Sequence, residues 1–252
     1  MTTFTGPIRN AASFTDTAVV MITKNEEAAV GKVVSDALNA APGAEVVVVD
    51  GSTDRTAEIA EARGARVVAE PGGGAASALV AALRASDRPV IVTVDADDTY
   101  PSQMIPSLVE LVRAGFDVAG SDRMGFGRPA AMPYMNYLAN KTFNSLATIW
   151  TRRRVRDVHS GMRAYRRAVI NGFDWDTRGL ALPVDLLLWP TRAGLRIVEV
   201  PIDYRERLGQ TTLVRWPGTK WTLRRVTRLS PPRTVGLSDE LDPSFRDPEV
   251  AR

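Results

Sequence analysis

The sequence predicts an α/β fold with a central, mostly parallel β-sheet that is flanked by helices. Short β-branched runs alternate with longer helical patterns over roughly the first 120 residues, which is typical of βαβ units. The run Val46–Val49 is continuously apolar, as in strands that are covered on both faces. Several predicted strands end in polar, turn-prone residues, and ligands of open α/β sheets bind beyond the carboxyl ends of the strands.

The predicted elements follow one another along the chain. Apolar, β-branched runs predict strands at 18–23, 45–49, 65–69, 90–95, 117–119 and 196–200. Helical patterns predict helices at 27–39, 55–63, 75–85, 103–113, 136–150 and 185–193. Glycine and proline residues in 124–133 predict a mobile loop, and 157–163 predicts a turn that leads into a short helix.

Composition limits the class of protein. The chain has 252 residues, of which 44% are hydrophobic and 24% charged, as in ordinary soluble globular proteins. It contains no cysteine, which excludes disulfides, thiolate metal sites and cysteine nucleophiles. No apolar run approaches the ~18 residues that cross a bilayer, and residues 1–16 lack the pattern of a signal peptide. We therefore expect a cytoplasmic protein.

Positive charge is concentrated in the second half of the chain, although the net charge is only +3. Such clusters suit the phosphates of a nucleotide or a lipid, and solvated helix faces are the simpler interpretation. No nucleic-acid recognition pattern accompanies the charge, so we expect no nucleic-acid partner. The basic segment 215–228, with Trp221 and Arg225, predicts either a peripheral membrane contact or a homodimer contact. The basic residues are Arg152, Arg153, Arg154, Arg156, Arg205, Arg207, Arg215, Lys220, Arg224, Arg225, Arg228 and Arg233.

The apolar strand 90–95 runs directly into the sequence Asp95-Ala96-Asp97. Mg²⁺ and Mn²⁺ prefer oxygen ligands and often join protein carboxylates to phosphate oxygens, so this pattern indicates a diphosphate-binding metal site. A solvated turn is the alternative, because Asp is common in turns.

Taken in order, the motifs Thr23-Lys24-Asn25-Glu26, Asp50-Gly51-Ser52 and Asp95-Ala96-Asp97 resemble the nucleotide-sugar half of the family 2 glycosyltransferases, which are inverting enzymes with the GT-A fold. The segments 157–165 and 199–209 are similar to later motifs of the dolichol-phosphate-mannose synthase-like branch, here without transmembrane helices.

The resemblance implies one GT-A domain over residues 1–236. Its nucleotide-sugar-binding half covers about 17–122 and its acceptor half about 123–233. The polar segment 237–252 is predicted to be a disordered tail.

On the donor side, the resemblance implies that Asp50 contacts the base or ribose of the nucleotide, with Asn25 and Glu26 nearby. A carboxylate can accept hydrogen bonds from base N–H groups and ribose hydroxyls. The alternative is a turn in which Ser52 or Thr53 caps the helix that starts near Arg55.

The resemblance further places Asp95, Ala96 and Asp97 at the donor diphosphate, with Mg²⁺ or Mn²⁺ bound by the two carboxylates. Asp97 is the preferred direct ligand and is counted as catalytic, since a cation there neutralises charge on the leaving group. Close relatives carry Gln where this chain has Thr99, so the third protein ligand stays open.

Two further segments are implied to contact the donor. Glycines 72–74 occupy a position that commonly reads Gly-Lys-Gly, so Gly74 is a candidate phosphate contact at a helix N-terminus, and a flexible turn is the alternative. Arg163 is a candidate for phosphate binding through its guanidinium, and a salt bridge to Asp157 is the alternative.

The acceptor side is implied to use Arg123, Arg207 and His159. His159, the only histidine, is also a candidate metal ligand, and a structural role is its alternative. The usual Ser-Lys pair of the branch appears here as Thr211-Thr212, so one acceptor-side charge is missing.

Asp185 heads an otherwise apolar helix and is a candidate general base. Related enzymes often place an acid here, and apolar surroundings raise a carboxyl pKa toward the range that suits proton abstraction. The alternative is a carboxylate that satisfies backbone N–H groups at the helix start.

These inferences predict a metal-dependent inverting glycosyltransferase that moves a hexose from a UDP- or GDP-linked donor to a small alcohol or a polyprenyl phosphate. Two alternatives are a nucleotide-sugar-binding regulator without turnover and, less favoured, a sugar nucleotidyltransferase, which would need a glycine-rich loop after the first strand.

Overall fold

A seven-stranded sheet with the order β3-β2-β1-β4-β6-β5-β7 forms the centre of the computed structural model, which describes residues 13–179, 181–209, 215–226 and 234–235. The strands are β1 (Thr17–Thr23), β2 (Glu45–Asp50), β3 (Arg66–Ala69), β4 (Val90–Thr93), β5 (Val118–Asp122), β6 (Arg163–Arg166) and β7 (Ile197–Pro201). All neighbouring pairs are parallel except those that involve β6. The predicted α/β class with a mostly parallel sheet is confirmed.

The helices lie between the strands, close to the predicted positions. They are α1 (Val30–Ala40), α2 (Thr56–Ala62), α3 (Ala75–Arg84), α4 (Ile105–Arg113), preceded by a 3-10 turn (Ser102–Met104), α5 (Tyr134–Thr151), α6 (Arg167–Asn171), α7 (Leu182–Arg192) and α8 (Arg215–Val226). In the part of the chain that the structure describes, no helix is long and apolar enough to cross a membrane.

Alternating strand residues separate two hydrophobic layers. On one face of the sheet, Val19 and Val48 pack with α1 and α4. On the other face, Val20 and Val47 pack with α3 and α7. Because side chains of a strand point alternately to opposite faces, these apolar runs need helices on both sides.

The segment 157–163 was predicted to lead into a short helix, and this prediction is wrong at its end. Arg163–Arg166 forms strand β6, which is antiparallel to both β4 and β5, and the short helix α6 follows it. The sequence Arg-Ala-Tyr-Arg has no β-branched residue, so pairing with two neighbouring strands, rather than local propensity, makes it a strand.

Strand direction gathers the polar strand ends. β4 and β5 are both antiparallel to β6 and therefore run the same way, as do β1, β2 and β3 beside β4. The carboxyl ends of these strands consequently lie along one edge of the sheet, where ligands of open α/β sheets bind. The predicted tail 237–252 and Thr211-Thr212 lie outside the described residues.

Helix α8 is joined to α7 by a buried ion pair. The Nη1 atom of Arg225 lies 2.8 Å from Asp185 Oδ2 and 3.0 Å from Asp176 Oδ2. Trp221 packs against the hydrophobic cluster of α5 and α7, and a Cβ atom added to Gly179 would lie 2.3 Å from its ring. Arg225 is thus buried and Trp221 is half-buried against the protein, and the membrane or dimer contact of segment 215–228 stays a prediction.

We expect Arg225→Ala to lower the free energy of unfolding by about 3 kcal/mol, because it removes the guanidinium that pairs with the buried Asp185 carboxylate. Arg224→Ala is the matched control, since Arg224 is exposed and only stacks on Trp221, a contact worth at most about 1 kcal/mol. Urea unfolding of both variants measures the difference. Equal losses of unfolding free energy in the two variants would contradict a stabilising ion pair between Arg225 and Asp185.

Candidate active site

The site begins where β1 and β2 end side by side. The Asp50 carboxylate accepts hydrogen bonds from the hydroxyls of Thr23 and Ser52, both at 2.6 Å, and from the Ser52 amide at 3.1 Å. These donors fix the half-buried carboxylate at the edge of the sheet.

Asn25 connects the two strand ends. Its backbone has the left-handed φ of +58°, which Asn tolerates better than most residues. Its amide donates to Ser52 Oγ at 2.7 Å, and its Oδ1 atom accepts the Thr53 amide at 2.9 Å. The amide at the start of α2 is received by Asp54, at 3.0 Å, rather than by Ser52 or Thr53 as the capping alternative proposed.

Asp97 is held firmly just after β4. Its Oδ1 atom accepts the Thr99 hydroxyl at 2.6 Å and the Thr99 amide at 3.2 Å, and its Oδ2 atom lies 2.8 Å from Arg207 Nη1. Thr99 therefore positions the Asp97 carboxylate.

Arg207 joins two acidic segments of the site. Its guanidinium contacts both Asp97 and Glu26, and both carboxylates are largely buried. Burial raises the pKa of Glu26 above its ordinary value, although the Arg207 charge opposes that shift. The structure thus brings together Glu26, predicted to bind the donor, Asp97, predicted to bind the metal, and Arg207, predicted to bind the acceptor.

Asp95 differs from Asp97 in being accessible from the cleft. It accepts no hydrogen bond from the residues that the structure describes. Desolvation within the cleft and the nearby Asp97 carboxylate raise the pKa of Asp95 to about 7, although the charges of Arg123 and Arg207 partly offset this shift. A Cβ atom at Gly161 would lie 2.4 Å from Asp95 Oδ2, so the chain approaches this carboxylate as closely as glycine allows.

The residues at this position fit a divalent cation. An accessible carboxylate whose pKa is raised beside a second carboxylate is stabilised by added positive charge. The oxygen ligands of Asp95 and Asp97 suit Mg²⁺ or Mn²⁺. Among the described residues there is no group of three or more His, Cys, Asp or Glu side chains that is arranged to hold a metal. Ala96, between the two carboxylates, is buried.

Arg123 lies beside the acidic cleft and is held by Asp157. Its Nε and Nη2 atoms donate to the two Asp157 oxygens at 2.7 and 2.8 Å, and its charge acts on Asp95. Burial alone would raise the pKa of Asp157, but the Arg123 guanidinium holds it below its ordinary value. Glu199 in turn accepts the Arg156 and Asp157 amides, both at 2.8 Å.

Sequence reasoning missed Tyr100, which lies between the two halves of the site. Its hydroxyl accepts the Gly161 amide at 2.7 Å, and its ring meets Tyr204 edge-on with centroids 5.4 Å apart. An aromatic residue soon after the Asp-x-Asp motif was the signal that could have indicated it.

His159 is hydrogen-bonded on both ring nitrogens. Nδ1 lies 2.9 Å from Asn140 Oδ1, and Nε2 lies 2.9 Å from Thr222 Oγ1. Burial, with a contribution from Arg123, lowers the pKa of His159 to about 4, so the ring is neutral at pH 7. In this arrangement neither nitrogen is available to a metal, which favours the structural alternative.

Arg163 is buried and donates to main-chain carbonyls. Its partners are Pro183 at 2.5 Å, Val158 at 2.9 Å and Asp157 at 3.0 Å. The guanidinium therefore holds the loop before β6 against the start of α7. Among the described residues it forms no salt bridge with Asp157, which was the alternative, and its predicted contact with the donor stays a prediction.

Two candidates lie apart from the acidic cleft or at its margin. Asp185 is buried in its ion pair with Arg225, and the structure gives it no contact with Asp95 or Asp97. Gly74 ends an exposed turn in which Gly72, Gly73 and Gly74 all have φ between +83° and +88°. This turn follows β3, whose end is bonded to β2 through the Glu70 amide and the Asp50 carbonyl.

The family model described as glycosyl transferase family 2 matches residues 18–173. The dolichyl-phosphate hexose transferase of Haloferax volcanii is 46% identical over 202 residues, which cover 80% of this chain and 88% of that protein. The polyprenol monophosphomannose synthase of Mycolicibacterium smegmatis is 29% identical over 209 residues, covering 76% and 78% respectively.

Solved structures agree in fold. Glucosyl-3-phosphoglycerate synthase from Mycobacterium tuberculosis, in complex with Mn²⁺, UDP-glucose and phosphoglyceric acid, superposes with a TM-score of 0.70 at 20% identity, covering 89% of this chain and 85% of that one. A second complex of the same enzyme, with Mn²⁺, UDP and phosphoglyceric acid, gives a TM-score of 0.68 at 22% identity, covering 83% and 78%. Together these matches show that the chain belongs to glycosyl transferase family 2 and is a glycosyltransferase with the GT-A fold.

Proposed function

We propose that this chain is a metal-dependent, inverting hexosyltransferase that uses a UDP- or GDP-linked hexose and a polyprenyl phosphate acceptor. One observation carries the proposal: Glu26, Asp95 and Asp97 converge with Arg123 and Arg207 at the carboxyl edge of the sheet. We further propose that residues 1–236 form one domain, with its donor half at 17–122 and its acceptor half at 123–233.

The donor half is suited to a nucleotide. Asp50 is held by three donors and can accept a further hydrogen bond from a base or ribose group. Asn25 fixes the adjoining backbone, and the glycine turn that ends at Gly74 offers amides near the start of α3. The similar Mycobacterium tuberculosis enzyme holds UDP-glucose and Mn²⁺, which supports a nucleotide-sugar donor here.

Asp95 and Asp97 are the residues that would hold Mg²⁺ or Mn²⁺, and the ion would supply positive charge to the leaving diphosphate. Asp97 is already fixed by Thr99, whereas Asp95 is open to the cleft. Arg207 supplies charge beside them and is in reach of both Glu26 and Asp97.

The acceptor half offers a cation for a phosphate. Arg123 uses Nε and Nη2 for Asp157, and Nη1 makes no hydrogen bond with the residues that the structure describes. Its guanidinium lies 5.3 Å from the Tyr204 ring centroid, next to Tyr100. The names of the relatives from Haloferax volcanii and Mycolicibacterium smegmatis support a polyprenyl phosphate as the acceptor, and such an acceptor implies a peripheral position at the membrane.

The proposed reaction is a single displacement. An oxygen of the acceptor phosphate forms a bond to the anomeric carbon from the face opposite the diphosphate. The bond between that carbon and the diphosphate oxygen breaks, and the electron pair leaves with the nucleoside diphosphate. A phosphate oxygen is already anionic, so no general base is required.

Asp185 has a different role in this proposal. Its buried pairing with Arg225 supports a function in holding α7 and α8 together, rather than removal of an acceptor proton. The resemblance implied a base for alcohol acceptors, and a phosphate acceptor makes that base unnecessary.

We expect Asp97→Asn to lower turnover about 100-fold or more at saturating Mn²⁺ or Mg²⁺, because the leaving group loses part of its charge stabilisation. The neighbouring Asp98→Asn is the matched control, since Asp98 pairs with the exposed Lys32 at 2.8 Å and Asn accepts its φ of +63°. Released nucleoside diphosphate gives the rate. Full turnover by Asp97→Asn would remove the metal assignment.

We expect Asp185→Asn to keep the rate of transfer to a polyprenyl phosphate once the folded fraction is taken into account, and to lower the melting temperature. The rate is measured with the folded enzyme at a temperature well below its melting midpoint. A loss of about 100-fold in a folded variant would restore Asp185 as the base.

Mixing the protein with Mn²⁺, a panel of UDP- and GDP-hexoses and a short-chain polyprenyl phosphate should yield free nucleoside diphosphate and a glycosylated lipid in equal amounts, read by mass spectrometry. A nucleotide-sugar-binding regulator would instead raise its melting temperature with the donor and release no diphosphate.

A further inference from the structure

A groove of about 610 Å³ opens between the end of β5, the outer side of α5 and the loop that precedes β6. Its floor is fixed, because buried Asn144 accepts the Val158 amide at 3.0 Å and donates to the Arg156 carbonyl. Thr148 also ties the groove wall to Val155, whose amide it accepts at 3.0 Å. The groove is therefore a preformed feature of the surface.

The groove is positively charged. Lys141, Arg154 and Arg156 line it, their side chains are exposed, and none forms an ion pair with a carboxylate of the described residues. Asp122 is the acidic residue among those lining the groove, and its Oδ1 atom accepts the Met124 amide at 3.0 Å. Three cations thus face one carboxylate, so the groove is suited to an anion.

Exposed apolar side chains border the groove. Ile149 lines it and is 74% exposed, and Leu138, on the same helix, is 41% exposed. Phe126, directly after the lining residue Gly125, is 79% exposed. Helix α5 buries only Asn144 and Ala147, so much of its apolar surface has no protein covering in the described part of the chain. Cationic groups beside exposed apolar groups are typical of surfaces that enter a membrane interface.

The groove is distinct from the acidic cleft. Asn140, one turn before Asn144 on α5, contacts His159 on the inner side of that helix. The lining of the groove includes none of the acidic-cleft residues Glu26, Asp95, Asp97 and Arg207. Arg123 follows Asp122 at the groove margin, so a membrane held at the groove would bring its surface close to the proposed acceptor side.

We propose that this groove binds the phosphate of an anionic phospholipid headgroup and thereby docks the enzyme on a membrane surface. Lys141, Arg154 and Arg156 donate to the phosphate oxygens, as guanidinium and ammonium groups do in phosphate sites. Leu138, Ile149 and Phe126 enter the boundary between headgroups and acyl chains. The proposal goes beyond the proposed function, because the groove holds a membrane lipid rather than the acceptor that reacts.

The test measures binding of the full chain to sedimented vesicles of phosphatidylglycerol mixed with phosphatidylcholine, and to vesicles of phosphatidylcholine alone. We expect binding to the anionic vesicles only. The variant Lys141→Gln/Arg154→Gln should weaken the partition coefficient about fivefold for each charge removed, about 25-fold in total. Leu138→Ser/Ile149→Ser should also weaken it, with the salt dependence unchanged.

The matched control is Arg63→Gln/Arg84→Gln, which removes the same charge from exposed residues at the ends of α2 and α3. It should bind like the wild type. Equal losses for the two charge-removing variants, or no binding of the wild type to anionic vesicles, would overturn the proposal. So would stabilisation by inorganic phosphate without vesicle binding, because it would indicate a soluble phosphate ligand. Vesicle binding is measured without a sugar donor, and sugar transfer is measured with a short-chain acceptor without vesicles, so failure of groove docking and failure of the proposed transfer reaction are distinguishable.

Discussion

The whole site depends on the electrostatic balance among carboxylates that the sheet forces together. Parallel strands end at one edge, so Glu26 and the Asp95–Asp97 pair come within reach of one another. Arg207 offsets part of this negative charge by contacting Glu26 and Asp97 at once. The Asp95 carboxylate is exposed to the cleft and its pKa is raised, so added positive charge there would stabilise its ionised form. A donor diphosphate bound without added positive charge would increase the repulsion.

The acceptor side is built in another way. Its cation, Arg123, is held by Asp157, and the backbone around Asp157 is held by Glu199 from β7 and by Arg163 from β6. Buried charged groups are costly unless they are paired or hydrogen-bonded. Arg123 and Asp157 pair with each other, whereas Glu199 and Arg163 bind main-chain groups of the loop before β6, so this network fixes the position of the Arg123 guanidinium.

Much of the donor half could be predicted from the sequence, because continuous valine runs and the polar residues after them are local signals. Strand β6 could not, since Arg163–Arg166 is a strand only through its two neighbours. The structural role of Arg163 could not be predicted from the sequence either, because its partners are main-chain carbonyls that only the folded chain brings near it. The ion pair between Asp185 and Arg225 joins two different helices, so it could not be predicted from the spacing of residues within α8.

The most direct test of the proposed metal and donor site is a crystal structure of the chain with Mn²⁺ and a nucleoside diphosphate, with the metal located by its anomalous scattering. We predict an anomalous peak in contact with the Asp95 and Asp97 carboxylates, with the diphosphate bound to the metal and the nucleoside next to Asp50. A peak elsewhere on the protein, or a nucleotide bound away from the carboxyl edge of the sheet, would contradict it.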